Sequence, residues 1–207
     1  MSSSLVLNTT TIAALTRDAI LPLTSGKNFY DGRELDRFVA DVIAQHRDAL
    51  ERVVVEFKDC GTFPHIPFAH LFDGGDTLPD LWIMGWRHRG CVVSPEATTI
   101  HDHGPSNASI HIVRGMVREV HYKIDVPMWR LGRENIAANR GTSITMVAGR
   151  SYNIRVPYVH RMTLEHDSDA GFSVHGYFPP LKRQRSFALV NDHGNGAILY
   201  GNGGWPE

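Results

Sequence analysis

Two histidines stand two residues apart in Thr99-Ile100-His101-Asp102-His103-Gly104, a stretch that lies between two strand-like segments. Side chains of an extended backbone alternate between the two faces of a sheet, so residues two apart share a face. His101 and His103 can therefore reach one metal ion inside a barrel. The His-x-His pattern is weak evidence by itself, because two polar strand residues often have the same spacing.

Further motifs follow at spacings that fit one barrel. Gly115 comes twelve residues after His103, where a strand would turn back. A third histidine, His160, occurs at another strand edge in Val156-Pro157-Tyr158-Val159-His160-Arg161. The later stretch Ser173-Val174-His175-Gly176-Tyr177 places a serine, a histidine and a tyrosine on one face. Together these motifs favour a functional site over a chance pair of polar strand residues.

The pattern of short apolar runs and turns from about Leu81 predicts an antiparallel barrel or jelly roll. Short β-branched and aromatic runs are separated by turns that contain Gly, Pro or Asn, which is typical of such folds. The predicted strands are Leu81–Trp86, Cys91–Ser94, Ser109–Val113, Met116–Tyr122, Ser143–Val147, Tyr152–Val156 and Phe172–Tyr177.

The first third of the chain is predicted to be helical. Apolar residues recur at three- and four-residue spacing and form one stripe; they are Leu35, Phe38, Val39, Val42, Ile43, Leu50 and Val53. Gly61–Gly75 has no such period and is predicted to be a loop. The tail Asn191–Glu207, rich in Gly and Asn, is predicted to be turns or mobile chain. We expect one domain over residues 1–207, helical to about residue 60 and a β-barrel over about 81–190.

Composition excludes several classes of protein. The chain has 207 residues, 42% of them hydrophobic, and a net charge of −1, so no overall field attracts nucleic acid or a membrane. Its start lacks the features of a secretory signal, and the two cysteines Cys60 and Cys91 make no disulfide framework. We therefore expect a cytoplasmic protein. The unusual count is 12 histidines, the commonest metal-ligand residue.

The combination of motifs resembles the cysteine dioxygenase family, the thiol dioxygenases of the cupin superfamily, over about Leu81 to Pro180. The resemblance implies a mainly β fold, a cupin jelly-roll barrel with an N-terminal helical segment, and one bound Fe(II). The implied iron ligands are His101, His103 and His160. The implied hydrogen-bonded relay, which ends in a tyrosine hydroxyl at the iron, consists of Ser173, His175 and Tyr177. Zinc or nickel would also accept three imidazoles, so iron rests on the resemblance.

The sequence departs from relatives at Ala108. Most cupins have a glutamate ligand at this position, and animal members of the cysteine dioxygenase family have a cysteine that is cross-linked to the relay tyrosine. A site of three neutral imidazoles leaves the charge of a ferrous ion uncompensated, which favours an anionic ligand such as a thiolate.

A second departure concerns the substrate carboxylate, which the family anchors with an arginine. The corresponding region, Pro67-Phe68-Ala69-His70, has none. The candidate substrate-binding residues are therefore Arg87, Arg89 and His70. Arg161 is the weakest candidate, because it directly follows His160 and would point out of the barrel.

Other noticeable residues are predicted to be structural. His111 and His121 are interpreted as ordinary barrel residues, Asp102 as pointing away from the ligands, and the two tryptophans Trp82 and Trp86 as core.

The resemblance implies an Fe(II)-dependent oxygenase that adds O₂ to the sulfur of L-cysteine or a related small thiol and gives a sulfinic acid. Three alternatives stay open. A diverged relative could convert cysteine or another aminothiol to a different product, by nitrogen migration to sulfur or by decarboxylation. A dioxygenase could act on another thiol acid such as 3-mercaptopropionate. The chain could also be a metal-binding cupin that senses a small ligand without catalysis.

Overall fold

The computed structural model describes residues 15–52, 68–87, 100–103, 106–124, 135–154, 159–165, 170–180, 186–193 and 196–201. The described helices are α1 (Arg17–Ile20), a 3-10 turn (Leu21–Leu23) and α2 (Gly32–Gln45). The strands are β1 (Phe68–Phe72), β2 (Asp80–Arg87), β3 (Ile100–His101), β4 (Asn107–Arg114), β5 (Met116–Ile124), β6 (Asn135–Val147), β7 (Ser151–Ile154), β8 (Val159–Leu164), β9 (Ala170–Phe178), β10 (Ser186–His193) and β11 (Gly196–Gly201).

The strands form two hydrogen-bonded groups. One is a five-stranded sheet in the order β1-β2-β9-β4-β7, and the other is a closed ring in the order β10-β11-β6-β5-β8-β3. Every strand pair in the described part of the chain is antiparallel. The fold is mainly β with an N-terminal helical segment, as the sequence predicted.

Helix α2 lies against the outer face of the five-stranded sheet. Asp31 caps its first turn by accepting from the Arg33 N–H at 2.9 Å, and its apolar stripe is buried. The contact with β9 is close at Gly176, where an added Cβ would lie 2.4 Å from Cγ2 of Val39. The helix ends at Gln45, earlier than the predicted stripe, and residues 47–52 are helical again. None of the helices in these ranges is long and apolar enough to cross a membrane.

Alternation along the strands divides the five-stranded sheet into an outer and an inner face. The outer face joins α2 in one apolar core, which includes Leu81, Ile83 and Val174. The inner face forms a second core, which includes Trp86, Ala108 and Tyr177 of that sheet and also Val117, Met146 and Met162 of the ring. The polar site lies on this inner side.

Two predictions about chain organisation were wrong. Phe68–Phe72, within the predicted loop, is strand β1 and pairs with β2. Much of the predicted tail forms the hairpin of β10 and β11, so the barrel strands extend beyond residues 81–190 in both directions. The predicted strand Ser143–Val147 is confirmed as the last part of β6, which begins earlier, at Asn135. In each case the partner strand supplies the hydrogen bonds, and local composition does not reveal that partner.

Other local predictions have mixed outcomes. The turn at Gly115 between β4 and β5 is confirmed, and its φ of 76° suits glycine. The predicted strand Cys91–Ser94 lies outside the described residues.

Candidate active site

Three histidine side chains converge where β3 and β8 meet. His101 ends β3 and is the register partner of His160 on β8, while His103 follows two residues after the strand. The Nε2 atom of His160 lies 3.1 Å from Nε2 of His101 and 3.1 Å from Nε2 of His103. The three ligand atoms lie within 4.8 Å of one another, and they form the metal-capable cluster found among the described residues.

This geometry fits a divalent metal ion. Imidazole nitrogens lie about 2.1 Å from such an ion, so two nitrogens at right angles around it are about 3 Å apart. Burial, followed by the neighbouring His160, His101 and His175, holds the pKa of His103 well below its ordinary value. His103 is therefore a neutral imidazole with a lone pair available, as a metal ligand must be.

A buried carboxylate stands behind the third histidine. Oε1 of Glu119, on β5, lies 2.6 Å from Nδ1 of His160 and 3.0 Å from Nε2 of His121. Burial raises the pKa of Glu119, but the hydrogen bonds from His121 and His160 outweigh it and lower the pKa to about 2. The ionised carboxylate of Glu119 thus accepts a hydrogen bond from the Nδ1–H of His160. The Nε2 atom of His160 then keeps a lone pair that can bind a metal.

A hydrogen-bonded relay lies on β9, across the inner core from Glu119. Oγ of Ser173 is 2.7 Å from Nε2 of His175, and Nδ1 of His175 is 3.0 Å from the hydroxyl of Tyr177. All three residues are buried. The Tyr177 ring contacts the His103 ring edge-on, with centroids 4.9 Å apart, so the relay reaches the three-histidine cluster.

The titration of the relay follows from its burial. Burial, with the nearby His160 and His101, lowers the pKa of His175 to about 3. Burial also raises the pKa of Tyr177 above its ordinary value. Both groups are therefore neutral at physiological pH, so the relay contains a neutral imidazole and an intact phenol.

Sequence reasoning missed three residues around the site. Glu119 was not selected and His121 was interpreted as an ordinary barrel residue, although their alternate positions on the predicted strand place them on one face. Trp86 was correctly predicted to be core, but its indole Nε1 also donates to Oγ of Ser173 at 2.8 Å. A hydrogen bond between residues so distant in sequence leaves no local signal.

The position of Ala108 agrees with the sequence comparison. This residue is fully buried on β4 as the register partner of Tyr177. It can supply neither a carboxylate ligand nor a sulfur to cross-link the tyrosine.

The predicted substrate-binding residues are described unequally. His70 lies on β1, stacks on Trp82 with ring centroids 4.2 Å apart, and lies 3.7 Å from Oδ1 of Asp80. Arg87 ends β2, but its side chain lies outside the described part of the chain, as does the whole of Arg89. Arg161 is the register partner of Val120 on β5 and directly follows His160 on β8. Side chains alternate along a strand, so Arg161 lies on the face opposite to His160, as predicted.

The two histidines predicted to be structural lie on different faces. His111 is on the outer face, where its Nε2 is 3.0 Å from Oδ1 of Asp36 on α2. His121 is on the inner side, and its hydrogen bond with the Glu119 carboxylate raises the pKa of His121. Neither histidine belongs to the three-histidine cluster found among the described residues.

Comparison with solved structures finds cupin-like neighbours at low identity. The Schizosaccharomyces pombe Cnp3 cupin domain is 10% identical, with 54% of this chain and 59% of that domain covered and a TM-score of 0.34, so the chain spans less than two thirds of it. A Klebsiella pneumoniae protein with a double-stranded β-helix domain is 10% identical, with coverage of 64% and 92% and a TM-score of 0.42. Ectoine synthase from P. lautus is 13% identical, with coverage of 69% and 91% and a TM-score of 0.38.

Sequence comparison is more specific. No curated protein matches the chain. Residues 37–189 match the family model described as cysteine dioxygenase type I, a range that contains the three converging histidines and the whole relay. This match covers more than half of the sequence, and the chain therefore belongs to the cysteine dioxygenase type I family.

Proposed function

We propose that this protein is an Fe(II)-dependent oxygenase that adds O₂ to the sulfur of a small thiol, with L-cysteine as the first candidate, and releases a sulfinic acid. One observation carries the proposal. Three imidazole nitrogens lie within 4.8 Å of one another, and the phenol of a buried relay packs against one of the three rings. The family match agrees with it.

The proposed ligands are His101, His103 and His160. Ferrous iron held there would supply the redox chemistry that a reaction with O₂ requires. Three protein ligands leave positions for small molecules, as in other non-haem iron sites. Because the imidazoles are neutral, the site favours an anion, and a thiolate is the soft anion that a small aminothiol offers.

Tyr177 is the proposed catalytic hydrogen-bond donor. Its raised pKa keeps the hydroxyl protonated, and contact with His103 places the ring beside the proposed ligands. Nδ1 of His175 holds the phenol oxygen from behind. Tyr177 could therefore donate to O₂ or to the substrate carboxylate, while the buried relay excludes water.

His70 occupies the region where, by the resemblance, the cysteine dioxygenase family has its carboxylate-anchoring arginine. His70 is part-exposed, stacks on Trp82 and lies 3.7 Å from Oδ1 of Asp80, and we propose it as a partner for a substrate anion because of its place in this region. This observation keeps two other functions in consideration. One is a 3-mercaptopropionate dioxygenase, and the other is a diverged enzyme that forms a different product from an aminothiol.

The test is anaerobic reconstitution with Fe(II), addition of one thiol, exposure to ¹⁸O₂ and mass spectrometry of the product. The thiols are L-cysteine, 3-mercaptopropionate and cysteamine. We expect L-cysteine to gain two labelled oxygen atoms. Double labelling of 3-mercaptopropionate alone would select the second function, and a cysteine-derived product without two labelled oxygens would select the third. Iron binding without turnover of any thiol would refute the oxygenase proposal in favour of a sensor.

A His70→Ala variant tests the anchoring role. If His70 holds a carboxylate, the variant should raise KM strongly for L-cysteine and change it little for cysteamine, which has no carboxylate. His46→Ala, at the end of α2, is the matched control and should change neither the KM for L-cysteine nor the KM for cysteamine. Equal effects of His70→Ala on both thiols would show that the carboxylate is held elsewhere.

A further inference from the structure

The relay continues beyond Ser173 to an indole that fixes its direction. We infer that Trp86 is a positioning residue, whose N–H sets the donor–acceptor order of the Ser173–His175–Tyr177 hydrogen bonds. The catalytic value of that order rests on the proposed function, whereas the order itself does not.

Four buried groups form one line of contacts. Nε1 of Trp86 lies 2.8 Å from Oγ of Ser173, followed by 2.7 Å to Nε2 of His175 and 3.0 Å from Nδ1 to the Tyr177 hydroxyl. Trp86 is on β2 and the other three are on β9, the neighbouring strand. Their exposed fractions are 4%, 0%, 1% and 1%. Water therefore has little access to compete for these bonds.

The inner part of this line could carry its protons in either direction. A hydroxyl both donates and accepts, and a neutral imidazole protonates one nitrogen or the other. In one order, Ser173 donates to Nε2 of His175, and Nδ1–H donates to the Tyr177 oxygen. In the reverse order, Tyr177 donates to Nδ1, and Nε2–H donates to Ser173. Only the first order leaves the phenol proton free to point at the proposed iron site.

The indole removes this ambiguity because its N–H can only donate. Ser173 must accept from Trp86, and its own proton then goes to the nearby Nε2 of His175. In the reverse order Ser173 would accept from both sides, which would leave its hydroxyl proton buried without the His175 acceptor, an unfavourable state. The lowered pKa of His175 keeps the ring singly protonated, so the order is a choice between two neutral tautomers.

The direct test is the tautomer of His175 in metal-free protein, read from ¹⁵N-histidine NMR. The signals of His175 are identified by their loss in a His175→Gln variant, and its two nitrogens are distinguished by their different two-bond couplings to the ring protons. We expect the wild-type protein to carry the proton on Nδ1, and we expect Trp86→Phe, which retains an aromatic ring but lacks the N–H, to give a mixture. Trp82→Phe makes the same change on the same strand and should leave the tautomer unchanged. A wild-type proton on Nε2, or an unchanged tautomer in Trp86→Phe, would overturn the inference.

A kinetic arm tests the consequence for turnover. Equal populations of the two orders would lower kcat about twofold with iron content unchanged, and a dominant reverse order would lower it further. Because Trp86 acts through Ser173, the Ser173→Ala variant and the double variant Trp86→Phe/Ser173→Ala should have the same kcat. Additive losses of kcat in the double variant would contradict the inference. Should the Phe variant fail to fold, 3-benzothienylalanine at position 86 has the indole shape without the donor. Absence of thiol turnover in the wild-type protein would refute the proposed function, while the NMR result would still decide the role of Trp86.

Discussion

Two polar clusters, a partly exposed one and a buried one, lie on opposite faces of the same five-stranded sheet, and each contains serine and histidine. On the outer face, Ser109, Ser151 and His111 all approach the carboxylate of Asp36 on α2. On the inner face, the hydrogen bonds run in a line from Trp86 to Tyr177. The residue types are similar, but the outer side chains all contact one carboxylate, whereas each inner side chain is hydrogen-bonded to the next in a chain.

This difference separates a structural cluster from a candidate catalytic one. The two hydroxyls of the outer cluster donate to Asp36, so the cluster holds α2 against β4 and β7. The inner line ends in a phenol beside three imidazoles and includes no carboxylate. A carboxylate occurs instead on the other side of the imidazoles, where Glu119 holds His160. Variants of the two clusters should therefore have separable effects.

The largest contrast is expected between two histidine variants. His160→Ala removes one of three proposed ligands and should abolish both iron binding and turnover, as should His101→Ala and His103→Ala. His111→Ala, on the outer face, should retain iron at the wild-type level. Iron per chain is measured after reconstitution and desalting. Near-stoichiometric iron in all three ligand variants would remove the basis of the site assignment.

The next effect concerns the end of the inner line. Tyr177→Phe retains the ring against His103 but removes the hydroxyl, so iron should stay bound while kcat falls by about 10²–10⁴-fold. Tyr30→Phe removes a hydroxyl from an exposed ring and is the control. Steady-state rates at equal iron content provide the measurement. A Tyr177→Phe rate equal to that of the wild type would show that the relay has no catalytic role.

Glu119→Gln tests the carboxylate behind the metal site. The amide keeps the shape of the side chain but holds the Nδ1–H of His160 less strongly, and changes of this kind lower metal affinity by about 10–100-fold. Glu51→Gln changes the same group on an exposed helical turn and should leave affinity unchanged. Competition with a chelator measures the affinity. Equal affinities of Glu119→Gln and the wild type would mean that Glu119 only pairs with His121.

The sequence predicted the residues of the inner site better than their surroundings. Period-two alternation placed Ser173, His175 and Tyr177 on one face, and the resemblance supplied the connection with the three histidines. Neither could predict Glu119 behind His160 or Trp86 behind Ser173, because both contacts join separate strands whose register depends on the whole fold. For the same reason the outer pairing of His111 with Asp36, seventy-odd positions away, left no trace in local composition.

The outer cluster should influence stability rather than chemistry. Asp36→Ala leaves the fully buried hydroxyl of Ser109 without its acceptor, which should lower the free energy of unfolding by about 1–3 kcal/mol. Asp41→Ala, on the same helix, removes a part-exposed ion pair with Lys27 and should cost less. Urea unfolding gives the free energies, and kcat at equal iron content should be unchanged in both variants. A loss of turnover without a loss of stability would contradict the division between the two faces.

The smallest effect is a difference in pH dependence between the buried His175 and the partly buried His111. Burial, followed by His160 and His101, lowers the pKa of His175 to about 3, whereas an unfolded chain has a histidine pKa of about 6.5. Between these values the unfolded chain binds a proton that the folded chain does not, so stability falls as the pH falls. From pH 6.5 to 5.5 His175 alone should lower the free energy of unfolding by about 1 kcal/mol.

Burial also lowers the pKa of His111, but Asp36 opposes this shift, so the effect of His111 on stability has the same sign and should be smaller. Urea unfolding of metal-free protein near pH 7.5, 6.5 and 5.5 should therefore show a flatter profile for His175→Gln than for His111→Gln. A His175→Gln profile as steep as that of the wild type would mean that His175 gains its proton inside the fold, and the inner relay would then not be the neutral line of hydrogen bonds that distinguishes it from the outer cluster.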